Sequence, residues 1–221
     1  MYKYAESLNS VRKKVTHTHE LISTSHHEAG HTIYALLHFM TIYSVRVFPD
    51  KKTNRIEGFT HYDSLDYSNL DDQELVIERL HAEIGLSYAG LVAEKYQYKL
   101  HSGSDKFPSF LDGSSNDLQE ASTLIKKYNI VPPGRKRYNY KKRMVRQATR
   151  ELQEHWDAVT AVAHGLFQKK RLSFNDLKNI LTKNTEHKEF WKERMKAIKI
   201  FYDKPEVDEK KFKLLVNNEN W

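Results

Sequence analysis

The sequence predicts a mainly α fold of the α+β class, in which a small β-sheet accompanies several helices. Apolar residues recur at helical spacing in four long stretches, while two short stretches alternate apolar and polar residues as strands do. The chain has 221 residues, 39% of them hydrophobic and 29% charged, which is enough for one sizeable core. The four helical stretches span about residues 25–40, 71–98, 114–128 and 138–168.

The first helix is expected to begin near Ser25 and to end near Met40. The following residues, TIYSVRVFPD (41–50), alternate in character and end at a proline, which is typical of a strand. A polar turn separates this strand from a second extended piece, FTHY (59–62). The two pieces are expected to pair as a small sheet.

The later helices follow from spacing and from their stop signals. The helix over 71–98 carries Gly and Ala in its middle, so another helix can approach it closely. The helix over 114–128 is stopped by IVPPG, since proline cannot continue a helix. One continuous helix is then expected from Tyr138.

The end of the chain contains a helix-start signal. Ser173 and Asp176 are three residues apart, as in a capping box, and predict a short helix there. The stretch from Thr185 onward is highly charged and is expected to be helical in part. We therefore divide the chain into a main domain, 1–184, and a charged C-terminal helical extension, 185–221.

Composition and charge exclude several classes. The chain has no cysteine, so it forms no disulfide and no thiolate metal site. It contains no apolar run of membrane-spanning length and no signal-peptide core, so we expect a soluble, cytoplasmic protein. The net charge of +7 comes from the C-terminal half, mainly from RKRYNYKKRMVR (135–146). We interpret this segment as the exposed start of a helix, which we favour over the alternative that its basic residues, with Tyr138 and Tyr140 among them, bind nucleic acid.

The stretch SHHEAGH (25–31) carries the pattern H-E-x-x-H. His27 and His31 are four residues apart and so lie on one face of a helix, where both rings can bind one ion. Zn²⁺ at a catalytic site needs three protein ligands and an open position for water, whose pKa it lowers. Glu28 is then the expected general base.

Two points remain open from the residues alone. Glu28 follows Ser25 by three positions, so it is also consistent with a capping box that has no catalytic role. The third ligand must come from elsewhere in the chain, and the chemistry does not choose between four carboxylates. These are Glu94, Asp105, Asp112 and Asp117.

HEAGH, followed far downstream by GSSNDLQEAS (113–122), resembles the peptidase domain of the FtsH family, which are ATP-dependent zinc proteases. The likeness extends over about residues 20–182 and includes SVRVFPDKKTNRIEGFT and YAGLVAEKY. It implies a zincin-like helical peptidase domain with a small sheet near the active site. It further implies Zn²⁺ as cofactor, His27, His31 and Asp117 as its ligands, and Glu28 as the base.

The resemblance also gives the expected substrate site. The edge strand of that family is matched here by Gly58, Phe59, Thr60 and His61. An extended polypeptide would add to it as a further strand.

Glu94 is a candidate acceptor for the N–H of a ligand imidazole, and zinc sites usually contain such an acceptor.

The sequence departs from the family in its delivery machinery. Family members carry a membrane anchor and an AAA+ ATPase ahead of the peptidase domain, whereas only a short segment precedes HEAGH here and no G-x-x-x-x-G-K-[ST] motif is present. We therefore expect an ATP-independent zinc metallopeptidase that hydrolyses accessible or unfolded polypeptides. The alternative is a non-proteolytic, zinc-stabilised binding module or the partner of a separate ATPase. The oligomeric state stays open.

Overall fold

The expected class, mainly α with a small β-sheet, is confirmed. The computed structural model describes residues 2–53, 55–63, 73–104, 106 and 115–203. Its elements in chain order are α1 Tyr2–Leu37, β1 Ile42–Pro49, β2 Ile56–Tyr62, α2 Gln73–Ser102, α3 Ser115–Lys127, α4 Arg135–Glu154, α5 Trp156–Lys169, β3 Arg171–Ser173, α6 Phe174–Asn184 and α7 Lys188–Asp203.

Helix α1 is longer than the sequence led us to expect, and its predicted start near Ser25 is wrong. Residues 2–24 contain neither Gly nor Pro, so nothing in them interrupts a helix. Ser25 lies inside the helix and is buried, and its hydroxyl is not an N-cap. The capping-box interpretation of Glu28 is therefore wrong as well.

The sheet has three antiparallel strands in the order β2-β1-β3. The predicted pairing of the two extended pieces is confirmed, and β1 also pairs with β3, which the sequence did not reveal. Three residues are too few to show an alternating pattern. Among the described strands β2 is therefore an edge strand, and its Thr60 is buried against α1.

Helices α1 and α2 cross at very short range, as the small residues of α2 predicted. A Cβ placed on Gly30 of α1 would lie 2.6 Å from the carbonyl oxygen of Ala89 and 2.6 Å from the Cβ of Ala93. Gly85 of α2 is covered in the same way by the ring of Tyr34 from α1. Larger side chains at these positions would separate the two helices.

The continuous helix expected from Tyr138 is instead two helices. It starts at Arg135 and is interrupted at His155, where φ is −119° and ψ is 32°, before α5 begins at Trp156. The ring of His155 stacks on Phe190 of α7, with centroids 5.1 Å apart. The periodicity of the sequence does not change at this break, so it could not be located from the pattern.

Helix α7 packs on the main core. Trp191, Met195 and Ile198 are fully buried among side chains of α1, α5 and α6. The guanidinium of Arg194 donates to the carbonyl oxygen of Leu37 at the end of α1, at 3.1 Å. The helical part of the C-terminal extension is thus present, while the boundary at residue 184 stays a prediction and residues 204–221 lie outside the described ones.

No described helix is both long and apolar enough to cross a membrane.

The capping box at the start of α6 is confirmed and gives a test of local stability. The hydroxyl of Ser173 accepts from the N–H of Asp176 at 3.2 Å, and the N–H of Ser173 donates to Asp176 Oδ2 at 3.0 Å. We expect Ser173→Ala to lower the free energy of unfolding by about 1 kcal/mol, because the first turn loses a bonded acceptor. Chemical denaturation measures the change.

Thr182→Ala is the matched control, since it also removes a hydroxyl from α6 but leaves the start of the helix intact. A change of about 0.5 kcal/mol or less is expected there. Equal effects of the two substitutions would contradict the capping role.

Candidate metal centre

Two imidazoles of α1 are held by hydrogen bonds that fix which ring nitrogen carries the proton. His31 Nδ1 lies 2.9 Å from the carbonyl oxygen of Leu86, which can only accept. His27 Nδ1 lies 3.2 Å from Glu94 Oε2, a carboxylate oxygen. Both Nδ1 atoms therefore donate, which leaves the Nε2 atoms of the two rings as the atoms that could bind a cation.

The two Nε2 atoms and one carboxylate oxygen face each other. The two Nε2 atoms are 3.0 Å apart. Asp117 Oδ2 lies 3.0 Å from His27 Nε2 and 3.4 Å from His31 Nε2. Asp117 reaches this point from the first turn of α3. Thus the structure brings together the three residues that the resemblance singled out as ligands, across 90 positions of sequence.

Three lone-pair atoms at this spacing repel one another unless a proton or a cation lies between them. Zinc–ligand distances of about 2.0–2.2 Å correspond to donors about 3.3–3.6 Å apart around a tetrahedral ion. The observed separations of 3.0–3.4 Å are close to that range. The donor set, two imidazole nitrogens and one carboxylate, is also one that Zn²⁺ prefers. The residues present therefore fit a divalent cation such as zinc.

Electrostatics favour a positive charge at the same point. Burial lowers the pKa of His27, but its hydrogen bonds to Asp117 and Glu94 and the nearby Glu28 outweigh burial and raise that pKa to about 10. Burial acts to raise the pKa of Asp117, yet hydrogen bonds to His27 and His31 hold it well below its ordinary value. Asp117 is therefore ionised, as a ligand must be.

A glycine of α2 makes room for the two rings. A Cβ on Gly90 would lie 2.5 Å from the Nε2 atoms of both His27 and His31. No other amino acid fits there without displacing the rings. The small stretch in the middle of α2 thus both admits α1 and leaves the space in which the imidazoles converge.

Glu94 supports the site from behind and is not part of the converging set. Its side chain accepts from the Ser23 hydroxyl and from His27 Nδ1, and the residue is only 3% exposed. This is the position predicted for an acceptor of a ligand N–H. Of the other carboxylates that the sequence left open, Asp105 and Asp112 lie outside the described residues.

Glu28 lies beside the cluster and lines the adjacent cleft. Its Oε2 accepts from the Thr60 hydroxyl at 2.7 Å, and its side chain lies directly under Gly58, where a Cβ would be 2.3 Å from Oε1. Strand β2 therefore sets the orientation of this carboxylate. Only glycine at position 58 allows the strand to pass so close to it.

The cleft has a volume of about 340 Å³ and runs between the edge strand β2 and the three helices α1, α2 and α3. All four residues predicted to bind substrate line it: Gly58, Phe59, Thr60 and His61. Tyr62 and Glu120 extend the lining at the side of Asp117. Phe59 is 47% exposed, whereas Thr60 is buried by its contact with Glu28. Their binding of substrate stays a prediction.

Sequence reasoning missed several supporting residues. Ser23 precedes His27 by four positions and so shares its helical face, a signal that was available in the sequence. Gly90 was noted only as a small residue, and the Leu86 carbonyl oxygen leaves no trace in the sequence because it belongs to the backbone. Thr60 was predicted to contact substrate, but its hydroxyl is bound to Glu28.

Comparison with known proteins adds no assignment: no protein-family model matches the chain, and no curated protein matches it.

Gly90→Ala tests the metal centre without changing a ligand. The added methyl group would occupy the space between the two Nε2 atoms, so we expect the affinity for Zn²⁺ to fall more than tenfold. Competition with a chromophoric chelator measures it. Gly165→Ala is the control, because its Cβ meets mainly the flexible end of Ile180 at 2.8 Å. Unchanged zinc affinity in Gly90→Ala would rule out a cation between these rings.

Glu94→Gln tests the support behind His27. An amide in place of the carboxylate weakens the hold on Nδ1–H, and we expect zinc affinity to fall about 10–100-fold. Glu78→Gln makes the same change on the exposed side of α2 and should leave the affinity unchanged. If both variants bind zinc like the wild type, Glu94 has no part in the centre.

Proposed function

We propose that this protein is a zinc metallopeptidase that hydrolyses accessible or unfolded polypeptides and needs no ATP of its own. The observation that carries the proposal is the convergence of His27 Nε2, His31 Nε2 and Asp117 Oδ2 beside a cleft that Glu28 lines. A buried carboxylate adjacent to a three-ligand centre is the arrangement that hydrolytic zinc sites require.

The two histidines and Asp117 would hold the ion. When bound, Zn²⁺ acts as a Lewis acid that polarises a carbonyl and lowers the pKa of water to about 7. Glu28 acts as general base on the attacking water and then passes the proton to the leaving amine. Thr60 donates to Oε2 of this carboxylate and so orients it within the cleft. The hydroxyl of Thr60 also prevents the carboxylate from rotating away from the cleft.

Substrate binding follows from the edge position of β2. An extended peptide can pair with the side of β2 that no described strand occupies, which would place its backbone along the cleft above Glu28. Such pairing needs a segment without secondary structure of its own, so the substrates are loops, termini or unfolded chains. The sequence given has no nucleotide-binding G-x-x-x-x-G-K-[ST] motif, which agrees with cleavage that is not coupled to ATP.

Glu28→Gln tests the proposal, because glutamine keeps the size of the side chain but cannot take a proton. We expect cleavage of an unfolded protein such as casein to fall about 10²–10⁴-fold. Zinc content, measured on the same sample, should stay at the wild-type value. Electrophoresis and mass spectrometry of the fragments give the rate.

Glu78→Gln makes the same substitution at an exposed position of α2 outside the cleft and should cleave like the wild type. A wild type that binds zinc but cleaves no faster than Glu28→Gln would overturn the peptidase proposal. That outcome would favour the alternative, a zinc-stabilised module that binds polypeptides without cutting them.

A further inference from the structure

A long segment of the chain is basic without any acidic residue. Between Glu120 and Glu151 there is no Asp or Glu. The ten basic residues of this interval are Lys126, Lys127, Arg135, Lys136, Arg137, Lys141, Lys142, Arg143, Arg146 and Arg150. Most of them lie on α4, which begins directly after the turn that closes α3.

The fold fixes which way the basic side chains of α4 point. Tyr140, Met144, Ala148 and Leu152 recur every four residues and are buried against α2 and α3 or the main core. The opposite side of the helix is exposed, and we define as the basic face its residues Arg135, Lys136, Tyr138, Lys142, Arg143 and Arg146. The charges therefore form a line along one side of a rigid helix.

These charges are not neutralised within the described part of the chain. No ion pair there joins a cation of the basic face to a carboxylate, and the first pair along α4 is Arg150 with Glu154 at 4.0 Å. Arg143 lies over the ring of Tyr140, 5.3 Å from its centroid. This contact does not neutralise the charge of the guanidinium. Five unneutralised cations on one helix side attract a polyanion.

An exposed aromatic ring lies among them. Tyr138 is 65% exposed, the most exposed large hydrophobic side chain of α4. A flat ring beside cations provides a surface on which a nucleobase can stack. It is also the one large apolar group that this side of the helix presents among the described residues.

We propose that the basic face binds the sugar–phosphate backbone of a nucleic-acid strand, with Tyr138 stacking on a base. An anionic membrane fits less well, because the apolar side of α4 is buried in the protein and has nothing to insert. An acidic polypeptide lacks both the even charge spacing and the bases. The exposure of the cations in segment 135–146 agrees with our expectation of an exposed helix start. Their charge, which no described carboxylate neutralises, favours a binding surface over a helix side that only contacts solvent.

Binding is measured by fluorescence anisotropy with labelled 20-nucleotide RNA, single-stranded DNA and duplex DNA, between 50 and 200 mM KCl. Five phosphate contacts to a single strand give a slope of log K against log salt of about −3.5. The affinity should therefore fall about a hundredfold over this range. The three probes distinguish the kind of strand, and Tyr138→Ala should weaken single strands more than the duplex.

The double variant Lys142→Gln with Arg146→Gln removes two charges and keeps good helix formers. We expect affinity at 100 mM salt to fall about tenfold or more, with a slope smaller by about 1.4. Lys51→Gln with Lys52→Gln removes the same charge from the exposed β1–β2 turn and should change affinity little. A second pair, Arg135→Gln with Arg143→Gln, repeats the test should the first fold poorly.

Three results would overturn the proposal. The first is an equal loss of affinity in the Lys51 and Lys52 control. The second is competition by poly-glutamate as effective as that by the oligonucleotide at equal charge concentration. The third is binding to phosphatidylserine vesicles without binding to any of the nucleic acids. None of these outcomes depends on zinc or on peptide cleavage, so the peptidase proposal is tested separately.

Discussion

The close crossing of α1 and α2 is the constraint on which the rest of the structure depends. Gly30 brings α1 onto the backbone of α2 at Ala89, and Gly90 leaves the space that the converging rings of His27 and His31 occupy. The same approach brings the Leu86 carbonyl oxygen and Glu94 within reach of the two Nδ1 atoms. The same contacts therefore determine the helix packing and the geometry of the site, and a methyl group added at the crossing would disturb both.

Several carboxylates lie close to these rings, and their burial raises the free energy of the folded protein unless an opposite charge is present. Glu28, Glu94 and Asp117 are largely removed from water, and two of them bond directly to His27. Burying such groups is unfavourable unless an opposite charge compensates them. A bound cation would provide that compensation, and its binding would then be coupled to folding stability. The three elements that donate ligands or position them, α1, α2 and α3, would be held together through the ion.

The sequence predicted which side chains converge at the site better than it predicted the bounds of the helices and strands. H-E-x-x-H is a local pattern, and helical spacing alone places its two rings together. Asp117 could not be selected among the carboxylates by any local rule, because its position depends on how α3 packs; only the resemblance singled it out. The start of α1, the break at His155 and strand β3 were missed for a related reason. Each depends on tertiary contacts, such as the stacking of His155 on Phe190, that the local sequence pattern does not reveal.

The burial of Trp191 has a consequence for the order of events during synthesis. This side chain and Met195 complete the core around α1, although they lie more than 150 positions after His27 and His31. A ribosome-bound chain that ends before α7 lacks this part of the core and leaves one side of α1 in water. The core around the helix that carries His27 and His31 is thus completed only after α7 has emerged.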